Sequence, residues 1–255
     1  MEIILDELSA TRFNKIEHVS ETGSTNLDLI SSASNTLDGS VLVADYQSDG
    51  RGRLGRNWEA PKAQNLLFSV LLHQKWDPSR NQLITTALAL STIKVLEKLG
   101  LQAKIKWPND VMVERQKLCK IGGILAEYVH QKDPILVVGM GLNVGWPNKE
   151  GSGPPEATSL KACGIEKNRW ELLVEVLKNF ESYLIELDKK EGDSYLRDEH
   201  LSRSATIGQR VRAEKKDEMI IGKAVDIEED GSLVIENQDG LISVKTGEVN
   251  LLRSI

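Results

Sequence analysis

The chain has 255 residues, enough for one large domain or for a large domain with a small one beside it. Its composition, 40% hydrophobic and 27% charged, is typical of a globular protein with a packed core. The formal net charge of −6 argues against a protein that binds nucleic acid through its overall charge.

The cysteines and histidines form no pattern that indicates a metal site or a disulfide framework. The two cysteines, Cys119 and Cys163, lie far apart in sequence, and the four histidines are scattered singly. We therefore assign no metal-binding residue. No stretch approaches the roughly 18 apolar residues of a membrane span, and no basic segment precedes an apolar run near the start. These features predict a cytoplasmic protein that does not bind a membrane.

Hydrophobic patterns predict both helices and strands over the first 204 residues. Residues 24–26, Ser-Thr-Asn, offer capping side chains for a short helix. Pro78 begins a long helix that Gly100 ends, and a second long helix extends over residues 169–187. Strands are predicted at residues 40–47, 65–73, 103–107, 111–114, 121–129 and 135–144. The segment from 145 to 155 is rich in Gly and Pro and is predicted to be a loop.

The composition changes after about Ser204. Short alternating strands follow, separated by Asp-Gly turns at residues 230–231 and 239–240. The predicted strands are residues 209–214, 219–228, 232–237 and 241–249. We therefore expect an α+β domain over residues 1–204 and a small β-barrel or sandwich over residues 205–255.

Residues 50–58, Gly-Arg-Gly-Arg-Leu-Gly-Arg-Asn-Trp, are the most informative segment of the chain. Glycine lets a backbone approach a ligand closely, and the arginine guanidinium binds carboxylates and phosphates. In an acidic chain, such a loop indicates a clamp for a small anionic ligand rather than a flexible surface loop. Two roles are open for Trp58, which could anchor the loop or stack on a planar ring.

Three further segments place polar residues or glycines at strand ends and inside strands. Residues 106–110, Lys-Trp-Pro-Asn-Asp, form a turn at a strand end, and Asn and Asp favour turns by propensity alone. Paired glycines lie within residues 120–127, Lys-Ile-Gly-Gly-Ile-Leu-Ala-Glu, and residues 139–144, Gly-Met-Gly-Leu-Asn-Val, repeat this feature. Glycine inside a strand often marks close approach of a ligand or another backbone. These strands therefore indicate a narrow slot, with close packing as the alternative.

Taken in order, five segments resemble the biotin protein ligases, and the resemblance extends from about Glu21 to the C-terminus. They are Gly-Ser-Thr-Asn at 23–26, the Arg/Gly segment at 50–58, Lys-Trp-Pro-Asn-Asp at 106–110, Lys-Ile-Gly-Gly-Ile-Leu-x-Glu at 120–127 and Gly-x-Gly-Leu-Asn-Val at 139–144. The resemblance implies an α+β fold, in which a central mixed sheet with packed helices, like that of class II synthetases, precedes a small SH3-like barrel. It also implies ATP-dependent formation of biotinyl-5′-adenylate and transfer of the biotinyl group to a lysine of an acceptor protein.

The resemblance assigns site residues to three roles. The catalytic residues would be Arg53, Lys120 and Asp110, with Asp110 accepting a proton from the incoming lysine. Biotin would contact Ser24, Thr25, Asn26, Gln47, Gly50, Arg51, Gly52, Arg53, Lys120, Gly122 and Gly123. ATP and the adenylate would contact Arg51, Arg53, Arg56, Trp58, Lys106, Asn109 and Asn143. Mg²⁺ is expected with ATP, and no carboxylate is assigned to it.

The resemblance also implies partners. The acceptor would be a biotin carboxyl carrier protein or domain, and a homodimer is possible. Because Gly23 already belongs to the first motif, too little chain precedes it for a helix-turn-helix, so we expect no nucleic acid partner. Three alternatives stay open: a lipoate or octanoate ligase-type acyl transfer, a non-catalytic sensor of nucleotide or biotin, and a dual-function regulator that binds DNA.

Overall fold

A computed structural model describes residues 6–149, 151–215, 218–245 and 249–252. Two β-sheets form the framework. The larger sheet has seven strands in the order β1-β2-β3-β7-β6-β5-β4, and the smaller has five in the order β11-β10-β9-β8-β12. Among the described residues, none of the helices has the length and apolar character needed to cross a bilayer.

The larger sheet is mixed, as the resemblance implies. Its strands are β1 (Ile16–Val19), β2 (Val41–Ala44), β3 (Leu66–His73), β4 (Ala103–Lys106), β5 (Asp110–Glu114), β6 (Leu118–Val129) and β7 (Ile135–Leu142). The β1–β2 pair is parallel, and the pairs that follow across the sheet are antiparallel. Residues Leu66 to Leu72 of β3 are all buried, as expected for an interior strand that is covered on both faces.

Four α-helices that lie wholly within the described residues accompany this sheet. They are α1 (Thr25–Ser32), α2 (Asn81–Lys98), α3 (Arg169–Leu187) and α4 (Gly192–Ser202). Helix α2 is buried from Leu83 to Ile93 without a break, because it packs against the sheet and against α3 and α4. Helix α3 is instead amphipathic and covers the outside of α2, with its apolar face in the same core. The core of the larger unit therefore lies between the sheet and these helices.

The smaller sheet confirms the change of architecture near the C-terminus. Its strands are β8 (Arg210–Lys215), β9 (Glu218–Ile227), β10 (Leu233–Asn237), β11 (Gly240–Val244) and β12 (Val249–Leu251), and every pairing is antiparallel. Alternating side chains of these strands fill a second core. The α+β architecture with a small C-terminal β unit is thus confirmed, whereas the boundary between residues 204 and 205 stays a prediction.

Several local expectations need correction. Strand β1, helix α4 and strand β12 are not predicted from the sequence, because they are short or carry few apolar residues. Ser24 occupies the N-cap position of α1, but its side chain makes no capping hydrogen bond. Strand β2 ends at Ala44 rather than at residue 47. The strand predicted to reach residue 249 ends at Val244, and residues 246–248 lie outside the described part of the chain.

Trp107 joins the two units. It follows β4 of the larger sheet, yet its side chain is 1% exposed and belongs to the core of the smaller sheet. Its backbone N–H donates to Thr206 Oγ1 at 2.9 Å, and its indole N–H donates to the carbonyl of Gly231 at 2.9 Å. The turn after Trp107 is therefore held by the C-terminal unit.

Truncation of this tryptophan should destabilise the protein strongly. We expect Trp107→Ala to lower the free energy of unfolding by about 3–5 kcal/mol, because it leaves a cavity in the second core. Trp107→Phe should cost less, and Leu241→Ala, at a residue that is 69% exposed, should change little. Urea denaturation of the three variants provides the measurement. A Trp107→Ala protein as stable as the wild type would contradict the proposed packing.

His200 is a buried histidine on α4 that is 1% exposed, and no described group forms a hydrogen bond with its Nε2 atom. Burial lowers its pKa to about 4, because the charged imidazolium would lose its hydration. The unfolded chain therefore binds more protons than the folded protein between pH 6.5, the ordinary pKa, and pH 4. The free energy of unfolding must then fall as the pH falls through this window, and level off below it.

Between pH 6.5 and pH 4, we expect His200 to lower the free energy of unfolding by about 3 kcal/mol. His200→Gln should flatten the dependence of the free energy of unfolding on pH between 6.5 and 4, measured by urea denaturation across this range. His130→Gln, at an exposed position, is the matched control and should leave the slope as it is. Equal slopes in wild type and His200→Gln would show that His200 is not the group that titrates.

Candidate ligand cleft

The largest set of predicted site residues meets in one cleft on the face of the larger sheet. The cleft contains roughly 990 Å³ of empty space, part of which is open to solvent. Its floor is formed by β6 and β7, its roof by residues 50–58, and one end by the start of α1. The predicted residues that line it are Ser24, Thr25, Asn26, Gln47, Arg51, Gly52, Arg53, Arg56, Trp58, Lys106, Asn109, Asp110, Lys120 and Gly123.

The roof is a small hairpin, which we call the Arg/Gly hairpin (residues 50–58). The Trp58 N–H donates to the Gly50 carbonyl at 2.7 Å, and the Gly52 N–H donates to the Arg56 carbonyl at 2.7 Å. Its tip places Leu54 at φ 55° and Gly55 at φ 71°, the left-handed conformations that a tight two-residue turn requires. The hairpin therefore carries its three arginines on a hydrogen-bonded backbone.

The first arginine of the hairpin is anchored to the sheet. Arg51 donates through Nη2 to both carboxylate oxygens of Glu127, at 2.8 and 2.7 Å. Glu127 also accepts a hydrogen bond of 2.8 Å from Asn26 Nδ2. This glutamate was given no role in the sequence analysis, although it ends the fourth motif. Its position on β6, opposite the hairpin, makes it the partner that orients Arg51.

The end of the cleft near α1 is a network of neutral polar groups. Thr25 donates to Gln47 Oε1 through its backbone N–H at 2.8 Å and its hydroxyl at 3.0 Å. The hydroxyls of Thr25 and Ser69 are 2.6 Å apart, and Ser69 donates to Asn26 Oδ1 at 2.5 Å. A Cβ atom at Gly139 would lie 2.2 Å from that Asn26 oxygen, so glycine leaves the space the network needs. Such groups can pair with a neutral ligand that both donates and accepts hydrogen bonds.

The middle of the floor is formed by two glycines of neighbouring strands. Gly123 of β6 is paired with Gly141 of β7, and the indole of Trp58 lies over both. A Cβ atom would lie 2.3 Å from the indole at Gly141 and 3.0 Å from it at Gly123. The indole N–H is buried and has no hydrogen-bond partner among the described residues. In this structure the indole therefore packs closely on the paired glycines, which is the alternative given in the sequence analysis, and a slot for a ligand stays a prediction.

A β-bulge decides which residues of β6 face the cleft. Val111 of β5 pairs with Gly122, and Met112 pairs with Lys120, so Ile121 is the extra residue of β6. Because a bulge shifts the alternation of side chains by one residue, Lys120 and Gly123 lie on the same face. A Cβ atom at Gly123 would lie 3.2 Å from Lys120 Nζ.

The third part of the cleft carries charge. Lys120 Nζ forms an ion pair of 2.6 Å with Asp110, the first residue of β5. The same ammonium lies 5.4 Å from the centre of the Trp58 ring, a distance suited to a cation–π contact. Asn109, which precedes Asp110, donates to the Ile124 carbonyl at 2.6 Å. Arg53, Arg56 and Lys106 line the same region and make the cleft cationic despite the acidic chain.

Three predicted site residues do not line the cleft. Gly50 lies in the stem of the hairpin, where a Cβ atom would be 2.4 Å from the Trp58 carbonyl. Gly122 points away from the cleft, towards Met140 and Leu142. Asn143 is buried, accepts from Asn65 Nδ2 at 3.0 Å and donates to the Thr158 carbonyl at 3.0 Å. The structure therefore gives these residues architectural contacts, and their assignment to ligand binding stays a prediction.

Comparisons with known proteins identify the family of the chain. The sequence model of the biotin/lipoate A/B protein ligase family matches residues 17–144, and that of the biotin protein ligase C terminal domain matches residues 206–252. The biotin--[acetyl-CoA-carboxylase] ligase of Mycobacterium tuberculosis is 32% identical, and the match covers 94% of this chain and 90% of that protein. The bifunctional ligase/repressor BirA of Escherichia coli is 30% identical over 91% of this chain and 72% of its own length.

The structural match is equally extensive. The biotin protein ligase of Aquifex aeolicus, solved in complex with biotin and ATP, superposes with a TM-score of 0.81 at 32% identity. That match covers 95% of this chain and 100% of the Aquifex chain. The two family models and the relatives, which cover most of the chain, thus point to one family. The chain belongs to the biotin protein ligases.

Proposed function

We propose that this chain activates biotin with ATP to biotinyl-5′-adenylate and transfers the biotinyl group to a lysine of a biotin carboxyl carrier acceptor. The observation that carries this proposal is the division of one cleft into a neutral polar end, a flat glycine floor and a cationic end. Biotin has a neutral ureido ring at one end and a carboxylate at the other, and ATP brings the phosphates. The solved Aquifex relative, described as a complex with biotin and ATP, supports this interpretation.

At the polar end, Thr25, Gln47 and Ser69 would bind the ureido group. Their side chains already lie within hydrogen-bond distance of one another, so little movement is needed to accept a ligand. A buried urea needs several partners, because each unpaired polar group would cost free energy. The network thus favours a ring with N–H and C=O groups over a purely apolar ring.

In the first step, an oxygen of the biotin carboxylate attacks the α-phosphorus of ATP, a new O–P bond forms, and the bond to the leaving pyrophosphate breaks. The two reacting groups are anions, and unit charges 4 Å apart repel by about 4 kcal/mol at an effective dielectric constant of 20. Arg53, Arg56 and Lys120 line the cleft and would offset this repulsion. The reaction needs no covalent intermediate on the protein, so positioning and charge supply the catalysis.

In the second step, the amine of the acceptor lysine attacks the biotinyl carbonyl carbon, an amide bond forms, and AMP leaves. Asp110 would take the proton that the attacking amine loses. Its carboxylate is paired with Lys120 at 2.6 Å, so Lys120 has to transfer its contact to the adenylate phosphate before Asp110 can act as a base. A roof over the mixed anhydride also excludes water, which would otherwise hydrolyse it.

Mg²⁺ fits this cleft as a companion of ATP rather than as a resident ion. Among the described residues, no group of three or more His, Cys, Asp or Glu side chains could hold a metal. Asp110 is the one carboxylate among the described residues that line the cleft. Mg²⁺ commonly binds substrate phosphates, waters and only one or two carboxylates. When bound, it would add positive charge at the phosphates, and Asp110 is the carboxylate of the cleft lining that would hold it.

Four further expectations remain predictions. They are the carboxyl carrier acceptor, the division of the chain after residue 204, a homodimer and a cytoplasmic location.

The reaction can be tested directly. Purified protein is incubated with biotin, ATP and Mg²⁺, and biotinyl-adenylate and pyrophosphate are measured by mass spectrometry and a coupled assay. A biotin-acceptor domain is then added, and we expect one lysine to gain the mass of a biotinyl group. Binding of biotin or ATP without pyrophosphate release would favour the sensor alternative. Competition by lipoate, but not by biotin, would favour the lipoate-type alternative.

Arg53→Ala should lower the rate of adenylate formation by about 100-fold, because it removes a cation next to the reacting anions. The unfolding midpoint should stay close to that of the wild type. Arg210→Ala removes an exposed arginine outside the cleft and serves as the control with an unchanged rate. Stopped-flow pyrophosphate release is the measurement. Normal turnover by Arg53→Ala would mean that this arginine is not part of the clamp.

Asp110→Asn should separate the two steps. With biotinyl-adenylate supplied, we expect transfer to the acceptor to fall by about 100-fold, a typical effect of losing a general base. Adenylate formation should fall less, because the arginines remain. Asp239→Asn, at an exposed residue in the turn between β10 and β11, is the control. Undiminished transfer from preformed adenylate by Asp110→Asn would remove Asp110 from the proposed mechanism.

A further inference from the structure

The two ends of the segment that carries the Arg/Gly hairpin meet at a single residue outside the cleft. Asp45 directly follows β2, and its backbone N–H donates to the Val19 carbonyl at 3.0 Å. The Asp45 carbonyl accepts a hydrogen bond of 2.8 Å from the N–H of Ala63, beyond the far end of the hairpin. Ala63 has φ 60°, an uncommon conformation for a residue other than glycine, and the contact to Asp45 helps to hold it there.

The entry to the hairpin is fixed to the same part of the fold. The Thr22 N–H donates to the Tyr46 carbonyl at 3.1 Å, and the Ser48 N–H donates to the Thr22 carbonyl at 2.9 Å. Gln47, which takes part in the polar network of the cleft, pairs with Thr22 in a parallel bridge. The backbone from Asp45 to Ser48 is therefore held along residues 19–22, directly before the stem of the hairpin.

The side chain of Asp45 is itself held by two other elements. Its Oδ1 atom lies 2.8 Å from His18 Nε2 on β1 and 2.5 Å from Arg169 Nη2, the first residue of α3. His18 and Trp170 form an edge-to-face pair with ring centres 5.1 Å apart, which encloses the cluster from the side. Burial raises the pKa of Asp45, but the hydrogen bonds and positive charge of His18 and Arg169 outweigh it and lower that pKa below its ordinary value.

Arg169 depends on this contact. Its side chain is 16% exposed, and its Nη1 atom is buried without a hydrogen-bond partner among the described residues. Breaking one side of a part-buried ion pair leaves a charge with poor hydration, so Asp45 and Arg169 hold each other in place. None of these side chains lines the cleft, so they act on the ligand only through the backbone between residues 45 and 63.

We propose that Asp45, held by Arg169, is a positioning residue that keeps the Arg/Gly hairpin closed over the acyl-adenylate and so limits its escape. The inference rests on the proposed function, since it concerns the retention of that intermediate. A purely structural role would lower stability without changing the fate of the adenylate. The positioning role and the purely structural role therefore differ in the fraction of adenylate that is released to the solvent instead of reacting with the acceptor.

The test uses Asp45→Asn and measures the fraction of biotinyl-adenylate that leaves the protein before transfer. We expect this fraction to rise at least 10-fold, with a higher KM for biotin and a smaller change in kcat for transfer from saturating adenylate. The matched control is Glu181→Gln, which converts the carboxylate of another ion pair on α3, with Arg12 at 3.0 Å, to an amide. Glu181 is 16% exposed and Asp45 18%, so the two changes have similar burial.

Arg169 supplies the second pair of variants. Arg169→Met should increase escape of the adenylate as Asp45→Asn does, and Arg169→Lys should restore part of the retention because it keeps a cation beside Asp45. Equal escape from Asp45→Asn, Glu181→Gln and wild type would overturn the proposal. So would failure of both Asp45→Asn and Arg169→Met to fold, since the cluster would then serve stability alone. A wild type that makes no adenylate would instead refute the proposed function.

Discussion

The cleft exists because three glycines leave out side chains where two strands and a hairpin approach one another. A Cβ atom at Gly139 would collide with Asn26, and one at Gly141 would collide with the indole of Trp58. Gly123 would bring a methyl group against both Trp58 and Lys120. Since a Cβ atom rarely comes within 3 Å of another heavy atom, any other residue at 139 or 141 would displace its neighbour, whereas the contacts of 3.0–3.2 Å at Gly123 would need a smaller shift. The polar network, the flat floor and the cationic end all depend on this space.

Two cations of the cleft are held in place by carboxylates of the larger sheet. Arg51 is paired with Glu127, and Lys120 is paired with Asp110, so these two cations have fixed positions on the sheet. Charges that are already in position stabilise the negative charge of a transition state with little reorganisation of the protein. This preorganisation is a main source of electrostatic catalysis. The same pairing limits the cost of holding several cations together in one cleft. An acidic protein can therefore present a cationic cleft to two anionic reactants.

The C-terminal unit contributes to the cleft by two routes. Val249 of β12 lies among the lining residues, and Trp107 is fixed in the second core by its contacts with Thr206 and Gly231. Trp107 lies between Lys106 and the Pro108–Asn109–Asp110 turn, which all line the cleft. Burial of one tryptophan thus links the stability of the small sheet to the geometry of the site. The segment 106–110, which resembles a simple turn in the sequence, is thus held in place by the C-terminal unit and includes Asp110, the proposed base.

The sequence by itself determined the main helices, most strands, the change to short strands near residue 204 and the segments that line the cleft. Those features depend on local periodicity, on Gly and Pro, and on motifs a few residues long, all of which can be read along the chain. Only the tertiary structure decided that Lys120 and Gly123, but not Gly122, face the cleft, because a bulge shifts the alternation of β6. It also assigned Glu127 to Arg51 and Asp45 to Arg169, partners separated by 76 and 124 residues. Such pairings depend on which strands and helices pack together, and no local pattern of residues encodes that choice.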